Sequence, residues 1–110
     1  MTKLKIMDIS ADTFASEVLD SATPVVVEFY TPTCKFCKRF EPVIEAVADK
    51  YEGKVKFCRL NAADNRDVAV QYEIFGVPTT LVFRSGDVVE RISGAVTEEE
   101  LVHKIDNAIQ

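Results

Sequence analysis

Two thiols two residues apart, Cys34-Lys35-Phe36-Cys37, are the residues in this chain best placed to do chemistry. They lie between two runs of different character. Pro24-Val25-Val26-Val27-Glu28-Phe29-Tyr30 is an almost continuous apolar segment of strand length, and Lys38 to Ala48 has helical spacing. A cysteine at a helix start faces unpaired backbone N–H groups and the positive end of the helix dipole. Both stabilise a thiolate, so Cys34 is expected to titrate below the free-thiol value of roughly 8.5. Cys37 follows one helical turn later, close enough to close a disulfide with it. The pair is the hardware of a dithiol–disulfide couple.

Cys34 is then the attacking nucleophile, forming a mixed disulfide with a substrate. Cys37 falls with Phe40, Ile44 and Ala48 on the apolar stripe of the helix, so burial keeps it protonated until that intermediate forms. A metal is the competing use of thiols. Cys34, Cys37, Cys58 and His103 make up a Cys₃His inventory. Cys58, however, sits mid-strand and reads as a small buried hydrophobe. His103 falls opposite Ile105, on the solvent face of the last helix, and no metal is expected.

Composition narrows the function classes. The 110 residues suit one domain, residues 1–110, and 47% hydrophobic with 28% charged residues is ordinary globular usage. A net charge of −5 makes nucleic acid an unexpected partner, although Lys35, Lys38 and Arg39 reverse the sign around the thiols. The start Met1-Thr2-Lys3-Leu4-Lys5 carries no long apolar signal region, and no apolar stretch approaches the span of a bilayer. A cytoplasmic location away from membranes is the default expectation. In that setting a thiol pair reads as redox chemistry rather than a structural disulfide.

The elements that must position the pair can be read along the chain. Leu4-Lys5-Ile6 is a short strand, and Asp12 to Leu19 a helix with Phe14, Val18 and Leu19 on one face, capped by Ser10 or Asp12. Glu52-Gly53-Lys54 is a turn. Val55 to Leu60 is a strand with Val55, Phe57 and Arg59 on one face and Lys56, Cys58 and Leu60 on the other. A short helix over Asp64 to Tyr72 precedes two strands, Thr79 to Phe83 and Val88 to Ile92, joined by the hairpin signal Arg84-Ser85-Gly86-Asp87. Thr97-Glu98-Glu99-Glu100 is a capping box for a last helix that buries Leu101, Ile105, Ala108 and Ile109. The order β-α-β-α-β-α-β-β-α predicts an α/β fold: a mixed sheet with helices on both faces.

With that order the chain resembles a thioredoxin over nearly all of its length. The matching residues are Val27-Glu28-Phe29-Tyr30-Thr31, Cys34, Cys37, Lys38, Pro42, Arg59-Leu60-Asn61, Gly76-Val77-Pro78-Thr79, Phe83 to Asp87 and Gly94-Ala95. The resemblance implies a redox pair at the carboxyl edge of the sheet, facing a cis-proline, Pro78, that receives extended substrate. Val77 would offer its backbone to that substrate by strand addition, with Tyr30 and Phe36 beside it. Pro42 removes one bond from the motif helix, so a kink is expected there.

The chain also departs from the family. Thioredoxins usually read Trp-Cys-Gly-Pro-Cys, whereas this chain has no tryptophan, and Tyr30 stands where the family often has one. The family's buried aspartate is Glu28 here and its lysine partner is Arg59. Glu28 interrupts an apolar strand, a costly position unless the carboxylate is paired or has a task. The resemblance puts it beneath Cys37, as a general base of raised pKa tuned by Arg59, against the plainer reading of a structural pair. Lys35 beside Cys34 would stabilise the thiolate and make the couple more oxidising.

The expected function is reduction of protein disulfides by a monomer with no bound cofactor. Its electrons would come from a separate thioredoxin-reductase-type donor, flavin- or iron–sulfur-based. An aromatic residue before the second cysteine also admits a glutaredoxin-like reductase of small-thiol mixed disulfides. A redox-inert binding module is the third reading, and retention of both thiols and Glu28 counts against it.

Overall fold

A computed structural model describes residues 6–110. The elements are β1 (Ile6–Ile9), α1 (Ala11–Phe14), a π-helical turn (Ala15–Leu19), β2 (Val25–Tyr30), α2 (Lys35–Lys50), β3 (Lys56–Asn61), α3 (Arg66–Gln71), β4 (Thr79–Arg84), β5 (Asp87–Ser93) and α4 (Glu98–Ile109). The five strands form one sheet in the order β1-β3-β2-β4-β5. β1, β3 and β2 run parallel, and β4 and β5 add an antiparallel edge. This is the mixed sheet the element order predicts.

β2 is central and reads as an apolar run because both of its faces are covered. Its alternate residues enter two cores. Val26 joins Phe40, Ile44 and Val47 of α2, Leu101 and Ile105 of α4, and Phe57, Val82 and Ile92 of the sheet. Val25, Val27 and Phe29 join Phe14, Val18, Val68, Cys58, Leu60, Leu81 and Phe83 on the other face. The period-2 pattern therefore puts Glu28 and Arg59 on the α2 face, and Cys58 on the opposite one.

The local expectations differ from the structure mainly at element ends. Of the expected first strand, Leu4 and Lys5 lie outside the described residues, and β1 continues past Ile6 to Ile9. The first helix begins as α and widens into a π turn, which leaves Leu19 only partly buried. α3 starts at Arg66 rather than Asp64, because Asn61 Oδ1 accepts the N–H groups of Ala63 and Asp64 and folds 62–64 into a turn. α2 runs from Lys35 to Lys50 as one helix with Pro42 inside it. Ser85 and Gly86 take positive φ angles of 53° and 84° between β4 and β5, the backbone a two-residue hairpin loop demands. Thr97 caps α4 by accepting the Glu100 N–H at 3.1 Å; Leu101 and Ile105 are buried, while Ala108 and Ile109 are partly so.

Candidate redox site

β2 ends at Tyr30, and the chain turns through 31–33 so that Cys34 becomes the N-cap of α2, with extended φ and ψ of −84° and 112°. A cap residue normally presents a side-chain acceptor to the free N–H groups of the first turn. Cys34 does so with sulfur: its Sγ accepts the Cys37 N–H at 3.0 Å. Cys34 thus sits at the helix start with its sulfur on a backbone donor. Cys34 is half-buried, and Cys37 is fully buried at 1% exposure. The two sulfurs are joined as a disulfide, with Cα atoms 5.2 Å apart.

The loop before β4 closes over the pair from the opposite side. The Val77–Pro78 peptide is cis, and Cys34 Sγ lies 3.7 Å from the Val77 carbonyl oxygen. Thr79 Oγ1 donates to Gly76 O at 2.6 Å, and the Gly94 N–H donates to Pro78 O at 2.8 Å, which ties the loop to the sheet. Val77 itself precedes the first ladder residue, Thr79. Open clefts of about 460 and 360 Å³ flank Val77, one running toward Arg91 and Ser93, the other toward Thr31 and Ala69. Phe75 stands between them at 91% exposure, and Phe36 is 63% exposed on the first turn of α2. Lys35 is exposed beside it, and the Arg39 guanidinium sits 5.9 Å from the Phe36 ring centre.

A second group of the expected residues gathers on the sheet face that α2 covers. Glu28 is fully buried, and among the described residues neither of its oxygens has a hydrogen-bond partner. Arg59 pairs with it in register on the neighbouring strand, but Arg59 Nε stays 3.5 Å from Glu28 Oε1 without a hydrogen bond. The guanidinium instead sets Nη2 2.8 Å from Glu41 Oε2 and lies 4.0 Å from the Tyr30 ring centre. Burial pushes the Glu28 carboxyl up to about 7; Arg59 pulls it down and the Glu41 charge pushes it up. That is a carboxyl able to take and return protons at neutral pH.

Cys58 lies in the other core, its thiol pushed up to about 12 by burial. His103 is exposed on α4 and hydrogen-bonds Asn107 at 3.2 Å. They sit on opposite sides of the sheet, so the four-ligand inventory does not converge.

Two residues near the site were missed at the level of sequence. Glu41 follows Cys37 by one helical turn, and that spacing was the available signal. Phe75, an exposed aromatic immediately before Gly76-Val77-Pro78, was readable only by its position.

A disulfide at a helix N-terminus, facing a cis-proline loop on a mixed sheet, defines a thiol–disulfide oxidoreductase. The family model described as Thioredoxin matches residues 5–107. The chain is 39% identical over 98 residues to Thioredoxin 1 of a Nostoc species, covering 89% of this chain and 92% of the relative. It is 38% identical over 98 residues to a thioredoxin of a Synechocystis species, again over 89% and 92% of the two chains. To the thioredoxin of Chlorobaculum thiosulfatiphilum it is 38% identical over 105 residues, 96% of this chain and 97% of the relative. The chain belongs to the thioredoxin family. It is a protein-disulfide reductase working through the Cys34–Cys37 couple.

Proposed function

We propose that Cys34 attacks and Cys37 resolves, with Glu28 taking the proton of Cys37. The Cys34 thiolate attacks a substrate disulfide, forming a Cys34–substrate mixed disulfide and expelling one substrate thiolate. Cys37 gives its proton to the Glu28 carboxylate and attacks Cys34 sulfur. The Cys34–Cys37 disulfide forms, and the second substrate sulfur leaves as a thiolate that takes up a proton. Two electrons pass from the protein's dithiol to the substrate disulfide. The observation that carries this reading is the Cys37 N–H on Cys34 Sγ, a donor aimed at the sulfur that bears the charge in the reduced state.

Glu28 enters because it is buried on the sheet face that α2 covers, with no hydrogen bond to either oxygen among the described residues and its carboxyl pushed up to about 7 by burial. Substrate lies extended along Val77 and Pro78, and Tyr30, Phe36 and the clefts beside Phe75 receive its flanking side chains. Lys35 and Arg59 tune the two acid–base groups. The protein acts as a single-domain monomer, residues 1–110, in the cytoplasm, with disulfide-containing proteins as clients and a thioredoxin-reductase-type protein as electron donor. Its role is electron transport that maintains cell redox homeostasis. Among the described residues no helix is long and apolar enough to cross a membrane.

Dithiothreitol-coupled insulin reduction tests this reading. Turnover is expected to be catalysed and to vanish in Cys34→Ser; full turnover by Cys34→Ser would exclude it. Activity that requires glutathione and only Cys34 would favour the glutaredoxin-like alternative.

A further inference from the structure

Arg59 makes a long ion pair with a buried carboxylate but no hydrogen bond to it. A guanidinium presents five donors in a fork that matches a carboxylate, and a bidentate pair is its usual arrangement. Glu28 and Arg59 are register partners on adjacent parallel strands with side chains on the same face, so nothing in the backbone forbids such a pair. Yet Nε remains 3.5 Å from Glu28 Oε1 with no hydrogen bond, and both Glu28 oxygens are unpartnered among the described residues. The head of the arginine is held elsewhere, by Glu41 Oε2 at 2.8 Å and by the Tyr30 ring at 4.0 Å.

We propose that Glu41 is a positioning residue for Glu28: by taking Arg59 Nη2 it keeps the guanidinium from hydrogen-bonding the buried carboxylate and leaves both Glu28 oxygens free for proton exchange. The inference rests on the reading of Glu28 as the proton carrier, and adds to it the device that keeps the carrier available. Burial orders the three groups. Glu28 is 1% exposed at its side chain, Arg59 20% and Glu41 39%, so the ion pair sits toward solvent above the carboxylate. Glu41 also acts directly, as a like charge that makes Glu28 harder to ionise.

Other groups face this cluster from each packed element. Asp8 of β1 is the register partner of Arg59, and Tyr30 of β2 lies under the guanidinium. Thr80 of β4 is the register partner of Glu28, and α2 contributes Glu41. Of the carboxylates among them, Glu41 makes the shorter ion pair with the arginine, at 2.8 Å against 3.5 Å for Glu28.

Glu41→Gln removes the charge while keeping the shape. Freed of its partner, Arg59 is expected to close on Glu28 and favour its ionised form. Carbon-detected NMR of the glutamate side chains reads the Glu28 midpoint directly in the reduced protein. In Glu41→Gln it is expected to fall by about one unit, a size ordinary for a carboxylate gaining a close cation. The acid limb of single-turnover substrate release should move to lower pH by the same amount, and its plateau should fall severalfold. Glu41→Asp, which keeps the charge, should stay near the parent midpoint and serves if Glu41→Gln folds poorly. A Glu28 midpoint that is unchanged or raised in Glu41→Gln, or one equally lowered in Glu41→Asp, overturns the proposal. The NMR midpoint does not depend on catalysis, so it still reads Glu41 if Glu28→Gln proves to release substrate at the parent rate.

Discussion

The Cys37 N–H lies 3.0 Å from Cys34 Sγ, so the second cysteine of the couple supplies a backbone donor to the first. In the dithiol state the same N–H would stabilise a thiolate on Cys34, and the helix dipole would add to it. Among the described residues no comparable donor reaches the sulfur of the buried Cys37. The proposed mechanism follows this asymmetry, with one thiol to attack and the other to wait.

Lys35 extends that asymmetry outward. It is exposed on the first turn of α2, where a cation works against the helix dipole but favours a thiolate next door. An exposed charge is screened, and its effect is about 0.5–1 kcal/mol. At 30 mV per 1.4 kcal/mol for two electrons, Lys35→Ala should be more reducing by roughly 10–20 mV. Glutathione titration monitored by alkylation checks this, and an equal or less negative potential refutes it.

Glu28→Gln should slow release of substrate from the mixed disulfide by about 10²-fold, the usual scale of general base assistance. The same variant has a stability signature whose sign follows from the raised carboxyl. The folded value is about 7 against 4.5 for the unfolded chain, so ionisation opposes the fold. The stability contribution of neutral Glu28 is complete below about 4.5 and is lost as pH rises through 7. With 2.5 units of difference and 1.36 kcal/mol per unit, the cost above pH 7 is at most about 3 kcal/mol. Glu28→Gln should therefore unfold at higher denaturant than the parent at pH 8 and at nearly the same concentration at pH 4. Equal midpoints at both pH values would show Glu28 to be ionised without penalty.

Cys58 should be chemically silent in the native state. Its thiol is 1% exposed and pushed up to about 12 by burial. Iodoacetamide at pH 8 should label it only after denaturation, and Cys58→Ala should keep insulin turnover within roughly twofold. Native-state labelling at a rate near that of a free thiol would contradict this.

Gly86 takes φ of +84° in the β4–β5 hairpin, and a Cβ there would meet Leu19 O at 3.3 Å. Gly86→Ala combines a left-handed backbone with that contact, and should cost about 1–2 kcal/mol in chemical unfolding. An unchanged unfolding midpoint would mean the hairpin rearranges freely.

Much of this was legible in the residues because the patterns are local. The apolar run Val25–Val27, the Ser85-Gly86 turn and the Thr97 cap each follow from a few neighbouring residues, and all three appear where expected. The thiol pair was legible for the same reason, since Cys34 and Cys37 carry their chemistry in their spacing. Element ends were not, because they depend on distant partners: Ala11 N–H is taken by Asn65 Oδ1, 54 positions away, at the point where α1 begins. The Glu28–Arg59–Glu41 cluster is the plainest case. Glu28 and Arg59 could be picked out singly as odd residues in strands, but the choice of Glu41 over Glu28 as the closer partner of Arg59 exists only in three dimensions.

The assignment of attack to Cys34 and resolution to Cys37 is tested most directly by trapping. Cys37→Ser, offered an oxidised protein substrate, should accumulate a mixed disulfide whose peptide mass places the bond on Cys34; Cys34→Ser should accumulate none, because buried Cys37 cannot be reached. Adducts on Cys37 in the Cys34→Ser protein, at yields matching those on Cys34, would contradict the account.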